Sequence, residues 1–315
     1  MTENTQQRDN SNFQVERLNR SMFQPGNRQE GICVRVITNI KEMQDLSTQV
    51  RSAGRTVGCV PTMGFFHRGH ISLMEASAGE NDFTVVSLFV NPTQFGENED
   101  FEAYPRNLDR DCNLAGQAGA DVIFAPQAQA MYPENYATYV EVQKLTDTMC
   151  GASRPGHFKG VTTVVAKLFN IILPHRAYFG QKDAQQALVI KKMVRELNFP
   201  LEIRVMPIVR ESDGLAMSSR NIYLSEEERQ AALVIPRSLE AARDLLEKGE
   251  KNVAKIKEEI ESILSRESLA KIDYVAVKDA GMLQDMETIQ GSVLVAVAVW
   301  IGKTRLMDNF IWGGI

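Results

Sequence analysis

Four histidines occur in 315 residues. Two of them, His67 and His70, flank Gly69 in the string Val60-Pro61-Thr62-Met63-Gly64-Phe65-Phe66-His67-Arg68-Gly69-His70. Imidazole N–H groups donate to phosphate oxygens or, when protonated, neutralise them. Gly69 leaves room for a nucleotide to lie against the backbone. Val57, Cys59 and Val60 lead in as a short buried strand, Pro61 and Gly64 break it, and Ile71, Leu73, Met74 and Ala78 follow at helical spacing. A helix start here presents free N–H groups and a partial positive charge, which suit phosphate. In an open parallel sheet this junction lies at the carboxyl end of a strand, where ligands bind. On local pattern alone, two histidines in a surface loop read equally well.

Four further stretches offer side chains of the same kind. Asn91-Pro92-Thr93-Gln94-Phe95 follows an apolar run, and its amides suit a small polar substrate, although Asn-Pro also starts ordinary turns. Arg154-Pro155-Gly156-His157-Phe158-Lys159-Gly160 precedes a helix predicted from Val161 and reads as an anion cradle or a charged loop, with Thr162 and Thr163 as helix caps. Gly180-Gln181-Lys182-Asp183-Ala184-Gln185-Gln186 is again strand, loop and helix start. Lys182 offers a point charge for phosphate, and Asp183 is either a cap, a partner for a nucleotide hydroxyl or an orienter of Lys182. Met217-Ser218-Ser219-Arg220-Asn221 sets two hydroxyls beside a guanidinium that can grip two oxygens at once.

The elements that must position these residues alternate. Strands are predicted at Val34–Ile37, Gly58–Pro61, Thr84–Val90, Ala120–Ala125, Ala177–Phe179 and Leu201–Val209. Helices are predicted between them at Ile40–Ala53, Ile71–Gly79, Asn107–Ala118, Val161–Leu173 and Ala184–Leu197. That alternation implies a parallel sheet in a doubly wound α/β domain over 34–208. Beyond about Arg210 the pattern changes. Ser225 with Glu228 forms a capping box, helix runs to about Glu247, a second helix spans Val253–Leu264, and three strands follow at Ile272–Val277, Val293–Ile301 and Arg305–Phe310. This predicts a smaller α+β domain over 209–315. Residues 1–33 are polar and without apolar periodicity, and read as a disordered arm with no secretory signal.

Composition narrows the function. The net charge of −5 argues against non-specific nucleic-acid binding, which needs a basic face. The longest apolar run, Val293–Ile301, is far short of the ~20 residues a membrane helix takes. Four scattered cysteines without C-x-x-C give no disulfide framework or zinc site, and reduced thiols in a cytoplasmic protein are expected.

H-x-G-H after a first strand resembles the signature of the nucleotidyltransferase superfamily, which includes the class I aminoacyl-tRNA synthetases. Met217–Arg220 bears a loose likeness to their mobile K-M-S-K-S loop. The longer strings P-T-M-G-x-x-H-x-G-H, N-P-x-Q-F, Y-P-R (Tyr104–Arg106), R-P-G-H-F-x-G-V-T-T, G-Q-K-D-x-Q-Q and D-G-L-A-M-S-S-R-N resemble, in order, those of the pantothenate synthetase (pantoate–β-alanine ligase) family. The resemblance implies a Rossmann-like N-terminal domain with a C-terminal lid, and a homodimer through the N-terminal domain. It implies ATP and Mg²⁺, pantoate and β-alanine, and a pantoyl adenylate that releases pyrophosphate and then AMP. By resemblance, ATP is contacted by Met63, Gly64, Phe65, Phe66, His67, Arg68, Gly69 and His70, by Gly180, Gln181, Lys182 and Asp183, and by Val209, Met217, Ser218, Ser219 and Arg220. His70, His67, Lys182 and Arg220 are then the catalytic groups, with His70 as proton donor. Gln94 and Gln186 hold pantoate, Gln94 also lies near β-alanine, and Asp111 helps to place the metal. Phe65 and Phe66 depart from the family in bulk, and residues 1–33 extend beyond it. The competing expectations are another nucleotidyltransferase acting on a phosphorylated acceptor, and a nucleotide-binding regulator without turnover.

Overall fold

The computed structural model describes residues 34–96 and 101–314; the arm expected over 1–33 lies outside the described residues. Val34–Ile315 forms one compact unit. In chain order its first part contains β1 (Arg35–Ile37), α1 (Ile40–Ser52), β2 (Val57–Thr62), α2 (Arg68–Glu80), β3 (Phe83–Leu88), α3 (Leu108–Gln117) and β4 (Val122–Phe124). Two short helices follow, α4 (Ala128–Met131) and α5 (Cys150–Ser153), then α6 (His157–Ile172), β5 (Arg176–Gly180), α7 (Ala184–Glu196) and β6 (Glu202–Met206).

The six strands form one sheet in the order β1-β4-β3-β2-β5-β6, and every pairing is parallel. Parallel sheets need both faces covered, which is why β2 and β3 are almost wholly apolar rather than alternating. On one face α2 and α3 place Leu73, Met74, Cys112 and Ala115 against Val60, Val86, Ile123 and Tyr178. On the other, α1, α6 and α7 pack on one another and on the sheet. The chain leaves β2 between β3 and β5, so the crevice at the carboxyl ends of these strands is the switch point of the winding.

After Met206 come α8 (Glu226–Ala232), α9 (Val234–Glu247) and α10 (Val253–Leu264), then the antiparallel strands β7 (Ala270–Asp279), β8 (Val293–Ile301) and β9 (Thr304–Trp312) in that order. Ser225 caps α8, accepting from Glu228 N at 3.1 Å while Glu228 Oε2 accepts from Ser225 N at 2.9 Å. The single helix expected up to Glu247 is two, because the chain turns at Leu233. Val293, Val295, Val297 and Val299 of β8 pack beneath α9 and α10. Among the described residues no helix is long and apolar enough to cross a membrane.

The expected start of α6 at Val161 is four residues late. Gly156 precedes the helix with φ +82° and His157 opens it. Gly160, expected to lie before the helix, sits inside it, and its task is contact: a Cβ there would lie 2.3 Å from the Thr93 carbonyl oxygen. Thr162 and Thr163 are buried. The Thr162 hydroxyl donates to Val140 O at 2.6 Å, and Thr163 accepts from Val140 N at 3.0 Å. They clamp a loop rather than cap the helix.

Candidate active site

At the switch point the sheet opens into a cavity of about 230 Å³. Its polar wall gathers His67, Gly69 and His70 from the end of β2, Asn91 and Gln94 from the end of β3, and Gly180, Lys182, Asp183 and Gln186 from the end of β5. Met217, Ser218, Ser219 and Arg220 close it from beyond the sheet, and Val161, Val164 and Leu168 of α6 give it an apolar floor. A second space of about 480 Å³ shares Lys182, Asp183, Ser218 and Arg220 and extends outward past Trp300 and Lys303. Small-molecule sites run to ~300–1,000 Å³, so a ligand of ordinary size would need both spaces.

The two histidines are fixed by the helix they start. His67 is the N-cap of α2, and its Nδ1 accepts from Gly69 N at 3.1 Å. His70, three residues on, returns its Nδ1 to His67 N at 3.3 Å. This is a capping box built from imidazoles in place of Ser and Glu. An accepting Nδ1 carries no proton, so each neutral ring bears its hydrogen on Nε2, the atom left to donate to a ligand. The rings lie 4.1 Å apart between centroids. Burial, then the positive charges of Lys182 and Arg110, bring His67 down to about 4, with Asp183 and Glu211 pulling the other way. Burial also lowers His70, followed by His67 and Lys182. At neutral pH these are uncharged donors, not cations. Gly69 is required by the same device, since a Cβ there would stand 2.9 Å from Cε1 of His67.

The stretch Met63–His70, expected to lie along a nucleotide as a whole, divides. Met63, His67, Gly69 and His70 line the cavity; Gly64, Phe65, Phe66 and Arg68 do not. Gly64 (φ +89°) and Phe65 (φ +51°) turn the chain through left-handed conformations, and Phe66 is buried in the core. Arg68 pairs with Glu75 at 2.6 Å on the exposed side of α2. Asp111 stabilises this turn. Its Oδ2 accepts from Phe65 N at 2.7 Å and its Oδ1 from Phe66 N at 2.8 Å. It is 1% exposed and absent from the cavity wall, and both its oxygens are engaged as a backbone clasp. Burial raises its pKa, and the bonds from Phe66, Phe65 and Arg110 oppose the rise.

The remaining candidates fall as follows. Gln94 Nε2 donates to Met63 Sδ at 3.0 Å, and Asn91 Nδ2 to Gln94 Oε1 at 3.2 Å. Ser218 accepts from Arg220 N at 3.3 Å, and Ser219 Oγ lies 3.3 Å from Tyr104 Oη, which ties the Y-P-R segment to this loop. Asp183 occupies the N-cap position of α7 without a side-chain cap bond, and it lines the cavity. Gln181 and Val209 stand behind the wall; Val209 O accepts from Met217 N at 3.0 Å. Arg154 and His157, read from sequence as cradle or loop, do line the cavity. Arg154 Nη1 lies 3.1 Å from His157 Nε2, and His157 Nδ1 lies 2.8 Å from Gln94 O. A guanidinium only donates and a carbonyl only accepts, so His157 carries its proton on Nδ1 and steadies the Gln94 turn. Asn91, read from sequence as suited to a small polar substrate or as an ordinary turn, also belongs to the wall.

Residues 35–311 match the family model described as pantoate-beta-alanine ligase. A pantothenate synthetase of Acetivibrio thermocellus is 56% identical over 278 residues, covering 88% of this chain and 99% of that one. One from Moorella thermoacetica is 54% identical over 276 residues, covering 88% and 98%. Among solved structures, the pantothenate synthetase of Thermus thermophilus superposes with a TM-score of 0.82 at 45% identity, covering 88% of this chain and 99% of that chain. The pantoate-beta-alanine ligase of Francisella tularensis, complexed with beta-gamma ATP and beta-alanine, gives 0.71 at 33%, covering 88% and 97%. With the fold, the ordered motifs and the match in agreement over nearly all of the described residues, this chain belongs to the pantoate-beta-alanine ligase family.

Proposed function

We propose that the chain condenses (R)-pantoate with β-alanine to pantothenate, using ATP and passing through a pantoyl adenylate. One observation carries the reading: the switch-point cavity gathers neutral donors, an ammonium, two guanidiniums and two glutamines, and among the described residues lining it there is no nucleophile with an adjacent base. Such a wall suits in-line attack at phosphorus, where positioning and charge neutralisation do the catalysis.

In the first step a pantoate carboxylate oxygen bonds to the α-phosphorus and the bond to the β-phosphate bridging oxygen breaks, releasing pyrophosphate. Lys182 and Arg220 offset the charge growing on that oxygen, while His67 and His70 donate through Nε2. Neutral imidazoles act here by hydrogen bonding; without a proton on Nδ1, His70 cannot release its Nε2–H without becoming an imidazolate, so it serves as a hydrogen-bond donor in place of the proton donor that the resemblance implies. Gln94 and Gln186 hold pantoate against the apolar floor. Gly180–Asp183 and Met217–Arg220 flank the nucleotide, with Val209 supporting Met217. In the second step the β-alanine nitrogen, as the free amine, bonds to the acyl carbon, AMP leaves with the bonding pair of the acyl–oxygen bond, and the proton released from nitrogen passes to solvent. Asp183 is the one carboxylate among the residues lining the main chamber, and no cluster of three metal-binding side chains occurs among the described residues. That donor set fits Mg²⁺ carried chiefly by triphosphate oxygens and water, where it would offset phosphate charge.

The proposal also takes 34–208 as a nucleotide- and pantoate-binding domain and 209–315 as a lid. It takes the protein as a cytoplasmic homodimer joined through the first of these. The test is a coupled assay that varies acid and amine in turn. Pantothenate and AMP should form only with pantoate, β-alanine and ATP together. AMP release from pantoate and ATP that ignores β-alanine, with no amide formed, would overturn the reading.

A further inference from the structure

β9 carries an Asp-Asn pair in its middle, between Leu306 and Phe310, where the sheet itself would favour β-branched residues. Both are buried, Asp308 at 1% and Asn309 at 3% exposure. Buried polar side chains are unfavourable unless they bond to something, so what they bond to is informative. Being adjacent in a strand, they face opposite ways. Asp308 shares the face of Leu306 and Phe310, which join the helix-covered core. Asn309 faces the parallel-sheet half, as Met307 does with its sulfur 3.4 Å from Cys150 Sγ.

Each grips a segment that brings a cationic side chain to the cavity, one that of Lys182 and the other that of Arg220. Asn309 Nδ2 donates to Gln181 O at 3.0 Å and Lys182 O at 2.9 Å, using both amide hydrogens on consecutive carbonyls of the Gln181–Asp183 turn. Asp308 holds Arg210 through Oδ2 to Nη1 at 2.6 Å and Oδ1 to Nη2 at 3.0 Å. Arg210 Nη1 also donates to Gly214 O at 3.0 Å and so closes the base of the loop that delivers Met217–Arg220. Arg210 bridges to Ala216, one residue before that segment. Lys182 and Arg220 lie 38 positions apart in sequence, on opposite sides of the lobe boundary proposed above, and one dipeptide nearly 90 residues further on touches the supports of both.

We propose that Asp308 and Asn309 are positioning residues that fix the spacing between the Lys182 ammonium and the Ser218–Arg220 loop, and so match the cation array to a phosphate chain. Neither lies on the wall of the main chamber. The inference rests on the ligase reading, because only the phosphorus-centred step needs that spacing; amide formation from a ready-made adenylate does not.

The experiment measures the two half-reactions separately. Adenylation is followed by pantoate-dependent exchange of labelled pyrophosphate into ATP, and amide formation by supplying synthetic pantoyl adenylate and β-alanine. Asn309→Ala and Asp308→Asn should each lower exchange by about 10- to 100-fold, the scale of a small misplacement in a closed site, while amide formation changes by less than about 2-fold. Asn309→Ser keeps one donor and should recover part of the loss; it also serves should the alanine variant not fold. In a Lys182→Ala background, Asn309→Ala should cost less than about 2-fold more, since it acts through that lysine. Equal losses in both half-reactions, or full additivity with Lys182→Ala, would reduce the pair to a structural role and overturn the inference. A wild-type chain inactive in exchange would instead overturn the ligase assignment.

Discussion

Replacing His67 separates the two ends of one imidazole. In His67→Asn the amide oxygen stands where Nδ1 was and still accepts from Gly69 N, but nothing replaces the Nε2–H. His67→Ala loses both. An N-cap is worth about 1 kcal/mol, and one donor to charge developing on phosphate about 100-fold in rate. Both variants should therefore lose about 100-fold in pyrophosphate exchange, and only His67→Ala should melt lower, by about 2–4 °C. The acid side carries the sharper sign. His67 goes from its ordinary 6.5 to about 4 in the folded chain, so below pH 6.5 the unfolded chain binds a proton that the folded one refuses. Stability from the neutral ring is complete above 6.5 and is lost as pH falls toward 4, by at most about 3 kcal/mol. Melting curves at pH 7 and pH 4.5 should show His67→Asn level with the wild type at the first and more stable at the second. A wild type that gains on the variant as pH falls would mean that the folded ring is a cation, and the account of neutral donors would fail.

Further outcomes follow from the same geometry. Nitrogen NMR of the four histidines should show Nε2–H tautomers for His67, His70 and His175, whose Nδ1 accepts from Val57 N at 2.9 Å, and the opposite tautomer for His157. Lys182→Ala should lower exchange by at least ~100-fold with little change in melting temperature; a near-normal rate would remove its role. Asp111→Ala orphans one buried and one half-buried N–H group beside a left-handed Phe65 and should destabilise by about 2–4 kcal/mol; a variant that instead keeps its melting temperature and loses activity that extra Mg²⁺ restores would favour a role for Asp111 at the metal. Gly160→Ala should raise KM for pantoate by about 10-fold or more through the displaced Gln94 turn, although alanine alone would favour the helix by up to ~1 kcal/mol. An unchanged KM would show that the turn moves without consequence.

Most of the parallel-sheet half was legible in the sequence because buried strands and amphipathic helices carry their own periodicity. The helices expected at Ile40–Ala53 and Ala184–Leu197 end one residue earlier in the structure, and in the C-terminal part Val293–Ile301 and Val253–Leu264 agree at both ends. What the sequence left out has physical causes. Gly160 is expected before a helix, yet it sits inside one, where a neighbouring turn leaves no space for a Cβ. Asp111 is an acidic residue near a nucleotide motif, and only the fold shows that two backbone N–H groups already engage it. His67 and His70 were found by spacing, but their protonation depends on a capping arrangement that the spacing permits without requiring. Asp308 and Asn309 left no local signal, since their partners lie 98 and 127 positions away.

Lys182 has neither a hydrogen-bond acceptor for its ammonium nor an ion-pair partner among the described residues. An unneutralised ammonium beside two uncharged imidazoles makes the enzyme an anion scavenger before its substrates arrive. Sulfate and inorganic phosphate should raise its melting temperature and compete with ATP. Apparent nucleotide affinities will then depend on the buffer chosen, falling from chloride to phosphate at equal ionic strength.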